Sequence, residues 1–218
     1  MGTRAAIFDL DRTLVPVNTA SLFMKWQLSR GEARRRDIAR TGLLLAQYTL
    51  GTIDAAKIAR YAARPLIGRN EARFASLMHD WTHTEVVPRV TAHAREEIAR
   101  RREQGYVIAI LTGSTPYSAV PLGNALGIDH VLGSQLEVKD GVFTGELVGP
   151  LCFGEGKVER AEQWASEHAI DLAQSAFYSD SISDLPMLER VREPFAVNPD
   201  PRLRVLAKWR GWPRLYWR

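Results

Sequence analysis

Residues 5–14, Ala-Ala-Ile-Phe-Asp-Leu-Asp-Arg-Thr-Leu, constrain this chain more than any other stretch. Four apolar residues lead into Asp9 and Asp11, spaced i, i+2, and Thr13 and Leu14 follow. A short apolar run bounded by polar turn residues predicts a fully buried, parallel strand. Side chains alternate along a strand, so Asp9 and Asp11 are expected to face the same way at its carboxyl end. That is the edge at which open α/β sheets bind ligands. Two carboxylates about 7 Å apart repel by roughly 2 kcal/mol at an effective dielectric near 20. A fold tolerates this when a cation or a proton neutralises them, and hard oxygen ligands suit Mg²⁺. Alone, the pair leaves two readings open, an acidic turn after a strand or a catalytic pair. A calcium loop fails, because it needs glycine where Leu14 stands and a carboxylate where Ala20 stands.

From Leu14 to about Trp81 the pattern is helical. Asn18 or Thr19 is placed to cap a helix carrying Leu22, Phe23, Trp26 and Leu28, which Gly31 ends. A second helix is expected from Glu32 to near Gly51, and a third from Thr52 to Pro65. Phe74, Leu77, Met78 and Trp81 then form an i, i+3, i+4, i+7 stripe. The expected organisation is a helical cap over residues 15–84, inserted after the first strand of a core made of 1–14 and 85–218. In that core, strands are predicted at 106–111, 131–132, 175–178 and 195–197, alternating with helices at 90–104, from Pro116, at 154–169 and at 185–191. Such alternation predicts an α/β fold with a parallel sheet and helices on both faces. Residues 135–148 alternate like a β-hairpin around Asp140 and Gly141.

Three predicted strand ends carry polar groups: Asp9 with Asp11, Thr112 with Gly113, and Asp180 with Asp184. In a parallel sheet these ends share one edge. The helix after Thr112 would aim backbone N–H groups there. Lys157 lies near the start of another helix, behind Gly154-Glu155-Gly156. Seen singly, Thr112 and Asp184 read as helix caps and Lys157 as a surface lysine. Together they describe a site for a phosphoryl group and a magnesium ion.

Asp9-Leu10-Asp11-Arg12-Thr13, Leu111-Thr112-Gly113, Lys157 and Asp180-Ser181-Ile182-Ser183-Asp184 resemble, in order and spacing, the four motifs of the haloacid dehalogenase superfamily. The resemblance covers the chain to about Pro201, and the helical insertion is similar to the C1-type cap of the phosphoserine phosphatase branch, subfamily IB. It implies a Rossmann-like core and hydrolysis of a small phosphorylated metabolite, phosphoserine-like compounds included. In that scheme Asp9 attacks phosphorus to form an aspartyl-phosphate, and Asp11 protonates the leaving oxygen and then activates water. The Asp9 carboxylate, the Asp11 carbonyl and Asp180 hold Mg²⁺, with Asp184 helping. Thr112, the Gly113 N–H and Lys157 bind the phosphoryl oxygens. Ser181 and Thr13 support the loops.

The match has departures. Where phosphoserine phosphatases carry a glutamate for the substrate's amino group, this chain has Asn18. An amide offers no full charge, and a hydrogen bond to a charged group contributes about 1.5–3 kcal/mol. Ser183 and Ser114 also stand where asparagine and glycine are common, and Arg12 stands where the residue is often small. Arg12 and Asn18 are therefore the candidate specificity residues. The form looks more like less characterised subfamily IB hydrolases, some acting on phosphorylated lipids. A lysophosphatidate- or phosphatidylglycerophosphate-type phosphatase is accordingly the alternative.

Charge and composition bound what else the chain can do. A net charge of +4 and a pI near 9.4 come mostly from arginine. The runs Arg34-Arg35-Arg36 and Arg100-Arg101-Arg102 read as solvated helix faces, and no nucleic-acid-binding module accompanies them. A basic binding protein without catalysis on the same fold is the alternative of another class. The tail interleaves Trp209, Trp212, Tyr216 and Trp217 with Arg210, Arg214 and Arg218. That suits a membrane interface, but packing on the protein's own surface is the commoner meaning. No apolar run approaches the length of a membrane span, the amino terminus has no signal-peptide architecture, and the single Cys152 excludes an internal disulfide. A cytoplasmic location is the default expectation. No signature of an oligomeric state is present. His79-Asp80-Trp81-Thr82-His83 approximates a zinc motif, yet Trp81 belongs to the buried stripe and the histidines to the opposite side. Cys152 has Val158 where a cysteine phosphatase needs arginine.

Overall fold

Ala5–Phe8 (β1) has no polar side chain, so it can be covered on both faces, and all four residues are fully buried. In the computed structural model, which describes residues 2–31, 60, 61 and 63–217, this strand lies at the middle of a six-stranded parallel sheet. Val107–Leu111 (β2) and His130–Leu132 (β3) lie to one side. Ala176–Ser179 (β6), Glu193–Val197 (β7) and Arg214–Leu215 (β8) lie to the other. The chain steps outward from β1 to β3 on one side, then crosses over and steps outward from β6 to β8. The order therefore reverses between β1 and β6, where a crevice opens at the carboxyl edge.

Alternation along the strands divides the interior into two cores. Ala6, Phe8, Ile108, Ile110, Ala176 and Tyr178 face one of them; Ala5, Ile7, Ala109, Leu111 and Phe177 face the other. The first is covered by Thr19–Ser29 (α1), Glu71–Trp81 (α2), Ala92–Glu103 (α3) and Pro116–Ala125 (α4). The second is covered by Glu155–Glu167 (α5), Leu185–Arg190 (α6) and Pro201–Arg210 (α7). The expected α/β architecture with helices on both faces is present. Of the stripe on α2, Met78 and Trp81 are buried in the first core and Phe74 packs on it, while Leu77 is only half-buried. The helices expected from Glu32 to about residue 59 lie outside the described residues, as does the Arg34-Arg35-Arg36 run.

The hairpin forms as Gln135–Lys139 (β4) and Val142–Val148 (β5), antiparallel, with Asp140 and Gly141 both left-handed at φ 50° and 75°. Such a turn matches the strand twist. Phe143 anchors it edge-on against Phe74 and Tyr117, each 5.4 Å away between ring centres.

Two readings need correcting. The Arg100-Arg101-Arg102 run is not wholly a solvated face. Arg101 turns inward, donating Nε to the Tyr178 hydroxyl at 2.7 Å and Nη2 to Glu193 Oε2 at 2.9 Å. The tail, where no strand is predicted, adds one: Ala196 N–H donates to Pro213 O at 3.0 Å and Asn198 N–H to Leu215 O at 2.8 Å. Its aromatics divide accordingly. Trp217 is buried against Phe8 and Tyr178, whereas Trp209 is 77% and Tyr216 54% exposed. No helix among the described residues is long and apolar enough to cross a membrane.

Candidate active site

Asp9 is the first residue past β1, and its N–H donates to Tyr178 O at 2.9 Å, continuing the β1–β6 ladder by one link. The carboxylate is thereby held at the reversal of strand order, and it is buried. β1 ends at Phe8, so Asp9 and Asp11 do not share a strand face. The chain instead folds into a tight loop in which the N–H groups of Thr13 and Val15 both donate to Leu10 O. That loop carries Asp11 to the amino terminus of α1. There Thr19 N–H donates to Asp11 Oδ1 at 2.8 Å and Asn18 Nδ2 to Oδ2 at 3.1 Å. A carboxylate is favoured at this end of a helix by the backbone dipole.

Lys157 is delivered from the other face of the sheet. α5 starts at Gly154, whose φ of 53° and ψ of −125° suit a residue with no Cβ. At Gly156 an added Cβ would fall 1.9 Å from Leu151 O, so only glycine permits this close start. In the first turn that follows, the buried Lys157 donates from Nζ to Asp9 Oδ1 and to Asp184 Oδ2, both at 2.7 Å. Asp184 Oδ2 also accepts from Ser179 Oγ at 2.6 Å. Asp184 Oδ1 is buried with no partner among the described residues.

Thr112 closes the β2–β3 ladder, its N–H donating to Leu132 O at 2.9 Å, and its Oγ1 accepts from Ser114 N–H at 3.1 Å. This turn leaves Gly113 exposed at the sheet edge, its N–H without an acceptor among the described residues. Thr19 Oγ1 meets Ser114 Oγ at 3.2 Å, so the α1 terminus and the Thr112 loop are joined. Ser181 shapes the last loop: its N–H donates to Ser179 Oγ at 3.1 Å and its Oγ pairs with Ser183 Oγ at 2.9 Å. Thr13 is buried, its hydroxyl also without a partner among the described residues.

The charges are mutually uncomfortable. Burial raises Asp9 well above the usual carboxylate range, Lys157 pulls it down, and Asp184 and Asp180 push it up again. Asp11 is raised by burial, against the bonds from Thr19. Asp180 is pushed up to about 7 by burial and then by Asp184. Burial disfavours the Lys157 ammonium, but Asp184 and Asp9 outweigh it and keep the group protonated. A further cation would offset these crowded carboxylates. The oxygens fit Mg²⁺: the unpartnered Asp184 Oδ1, the Asp180 carboxylate, and the Asp11 carbonyl, which accepts no hydrogen bond among the described residues. The set mixes carboxylates with a carbonyl. No group of three or more acidic, histidine or cysteine side chains spaced for a metal occurs among the described residues.

Three contributors escaped sequence reasoning. Ser179 holds Asp184, as above. Asp200 caps α7 through Oδ1, accepting from Arg202 and Leu203 N–H, and through Oδ2 accepts from Ile182 N–H at 2.8 Å. Asp before Pro201 is a legible cap signal, but the second bond crosses to a distant loop. Asn198 donates from Nδ2 to Arg12 O at 3.1 Å. Asn18, expected at the substrate, has both ends of its amide engaged, since Oδ1 accepts from Ser21 N–H at 3.0 Å while Nδ2 serves Asp11. His79 and His83 are exposed with rings 4.5 Å apart, outside this cluster. Cys152 is buried and its thiol pushed up to about 11 by burial, far from nucleophile range.

The haloacid dehalogenase-like hydrolase family pattern matches residues 6–189. A phosphoserine phosphatase of Mycobacterium tuberculosis is 34% identical over 217 residues, covering 96% of this chain and 70% of the relative. A histidinol-phosphatase of Neisseria meningitidis serogroup C is 29% identical, covering 96% and 97%. Among solved structures, a protein of unknown function from Bordetella pertussis Tohama I superposes with a TM-score of 0.89 at 31% identity over 99% of both chains.

Proposed function

The chain belongs to the haloacid dehalogenase-like hydrolase family as a phosphatase, and from that premise we propose that it hydrolyses small phosphomonoesters through an aspartyl-phosphate on Asp9, with Mg²⁺. The observation that carries this reading is the buried Lys157 ammonium bridging Asp9 and Asp184 at the sheet edge, 2.7 Å from each. A surface lysine has no such partners, and two buried carboxylates sharing one ammonium suit phosphoryl transfer.

Phosphate monoesters hydrolyse extremely slowly unaided. Asp9 attacks phosphorus, the bond to the leaving oxygen breaks, and Asp11 gives that oxygen its proton. The raised proton affinity of Asp11 suits the acid role. Asp11, now a carboxylate, takes a proton from water as the water attacks phosphorus. Inorganic phosphate leaves and Asp9 is regenerated. Thr112, the Gly113 N–H and Lys157 receive the phosphoryl oxygens, and Lys157 turns one oxygen of Asp9 away so that the other can attack. Asp9, the Asp11 carbonyl and Asp180, with Asp184 beside them, would hold the ion. Mg²⁺, when bound, supplies the positive charge that offsets these carboxylates and polarises the phosphoryl oxygens. The stretch 15–84 acts as the cap that selects substrate, and its α1 also positions Asp11.

Turnover of an aryl phosphate tests this. Release of phosphate that needs Mg²⁺, stops with a chelator and is lost in Asp9→Asn supports the reading. Turnover that survives both sinks it.

A further inference from the structure

Arg12 adopts φ 59°, a left-handed conformation that side-chain-bearing residues rarely take. Its main chain is pinned twice: its N–H donates to Val17 O at 3.1 Å, and its carbonyl accepts from Asn198 Nδ2 at 3.1 Å. Asn198 is itself left-handed at φ 44°, and its Oδ1 accepts from the N–H of Trp217 at 2.9 Å. Trp217 is buried against Phe8 and Tyr178. The loop is thus anchored through the terminal strand to the first core. Strained non-glycine backbone persists only where its surroundings over-determine it, and it concentrates at functional sites.

Glycine would fill this position without strain, so the arginine side chain needs a reason. Arg12 is exposed, and among the described residues its guanidinium makes no ion pair and no hydrogen bond. It directly follows Asp11 in the pinned loop beyond β1, so it stands at the rim of the site with a charge that no carboxylate among the described residues takes up. A guanidinium is the side chain best shaped to take a carboxylate or phosphate through two parallel N–H bonds. Asn18, by contrast, is neutral and fully engaged with Asp11 and Ser21, so it offers no charge to a substrate ammonium.

We propose that Arg12 is a specificity-determining residue that reads a second anionic group on the substrate, with Asn198 as the positioning residue that aims it. The substrate class is phosphomonoesters carrying another negative charge, in preference to those whose remaining charge is positive. This rests on the phosphatase reading above and narrows it.

Phosphoserine and phosphoethanolamine differ only in one carboxylate. The wild-type protein should favour phosphoserine in kcat/KM by at least about tenfold, the low end for a charged hydrogen bond. Arg12→Gly, which keeps the left-handed backbone, should bring that ratio close to one, and Arg12→Lys should keep part of it. Asn198→Ala should lower the ratio through KM for phosphoserine. A wild-type ratio at or below one, or a ratio untouched by Arg12→Gly, overturns the proposal. Turnover of an aryl phosphate on the same samples reports the phosphatase reading separately. If no ester is turned over, calorimetry decides. Phosphoglycolate and ethylene bisphosphate, carrying a carboxylate and a second phosphate, should each bind tighter than ethyl phosphate, with the difference lost in Arg12→Gly. Equal binding of all three overturns the proposal independently of catalysis.

Discussion

Asn18 donates through Nδ2 to Asp11 Oδ2 at 3.1 Å, while its own Oδ1 caps α1 by accepting from Ser21 N–H at 3.0 Å. One side chain therefore fixes both the start of the helix and the orientation of the Asp11 carboxylate. Asn18→Ala should lower stability by about 1 kcal/mol, the usual worth of such a cap. It should also slow alkyl phosphates, which need leaving-group protonation, about tenfold or more than it slows nitrophenyl phosphate. Equal slowing of both substrates would remove Asn18 from the acid step.

Replacing Lys157 strands two buried carboxylates. Lys157→Met should cost about 3–5 kcal/mol, because breaking a buried pair leaves uncompensated charge. It should cut turnover about a hundredfold or more. Thermal melts should then show a larger gain from Mg²⁺ in the variant than in the wild type, since a cation can stand in for part of the lost ammonium. An unchanged melting temperature would place Lys157 outside the buried network.

In the metal-free protein Asp180 is pushed up to about 7 from the ordinary 3.8. Between those values the folded chain keeps a proton that the unfolded chain has released, so stability is lost as pH rises through that window. Asp180→Asn cannot lose this proton. Its melting temperature minus that of the wild type should grow from about pH 4 to about pH 7, then level off, when both are measured with a chelator. A difference that stays flat or shrinks over this range contradicts the raised affinity. Saturating Mg²⁺ should flatten the wild-type slope.

Gly156→Ala places a Cβ 1.9 Å from Leu151 O, so the start of α5 has to move. Lys157 sits one residue on. If Lys157 takes part in turnover as proposed, the rate should fall about tenfold or more with the fold retained by circular dichroism, since a displacement of about 1 Å can cost a hundredfold. Wild-type rates in this variant would show that the α5 start tolerates displacement.

What the sequence made legible was whatever depends on local pattern. The apolar run before Asp9, the alternation of strands and helices, the Asp140-Gly141 turn and the stripe ending at Trp81 each carry their own periodicity, and the family motifs follow them in order. What stayed hidden depends on partners far along the chain. The bond from Asn18 to Asp11 has no local signature, and Arg101 reads as solvated until Glu193 and Tyr178 enclose it. The strand Arg214–Leu215 is two residues long, below any detectable alternation, and exists because β7 offers it an edge. Asn198 and Asp200 look like ordinary turn and cap residues, and their bonds to Arg12 and Ile182 cross the sheet edge.

If Asp9 carries the phosphoryl group during turnover, the adduct can be trapped chemically. Borohydride reduces an aspartyl-phosphate to homoserine, so quenching the protein during turnover with Mg²⁺ and sequencing its peptides by mass spectrometry asks the question directly. Asp11→Asn should enrich the adduct by slowing its hydrolysis. The expected result is homoserine at position 9, absent without substrate and absent in Asp9→Asn. Sustained turnover with Asp9 unmodified in every sample, or homoserine at another aspartate, would contradict the mechanism.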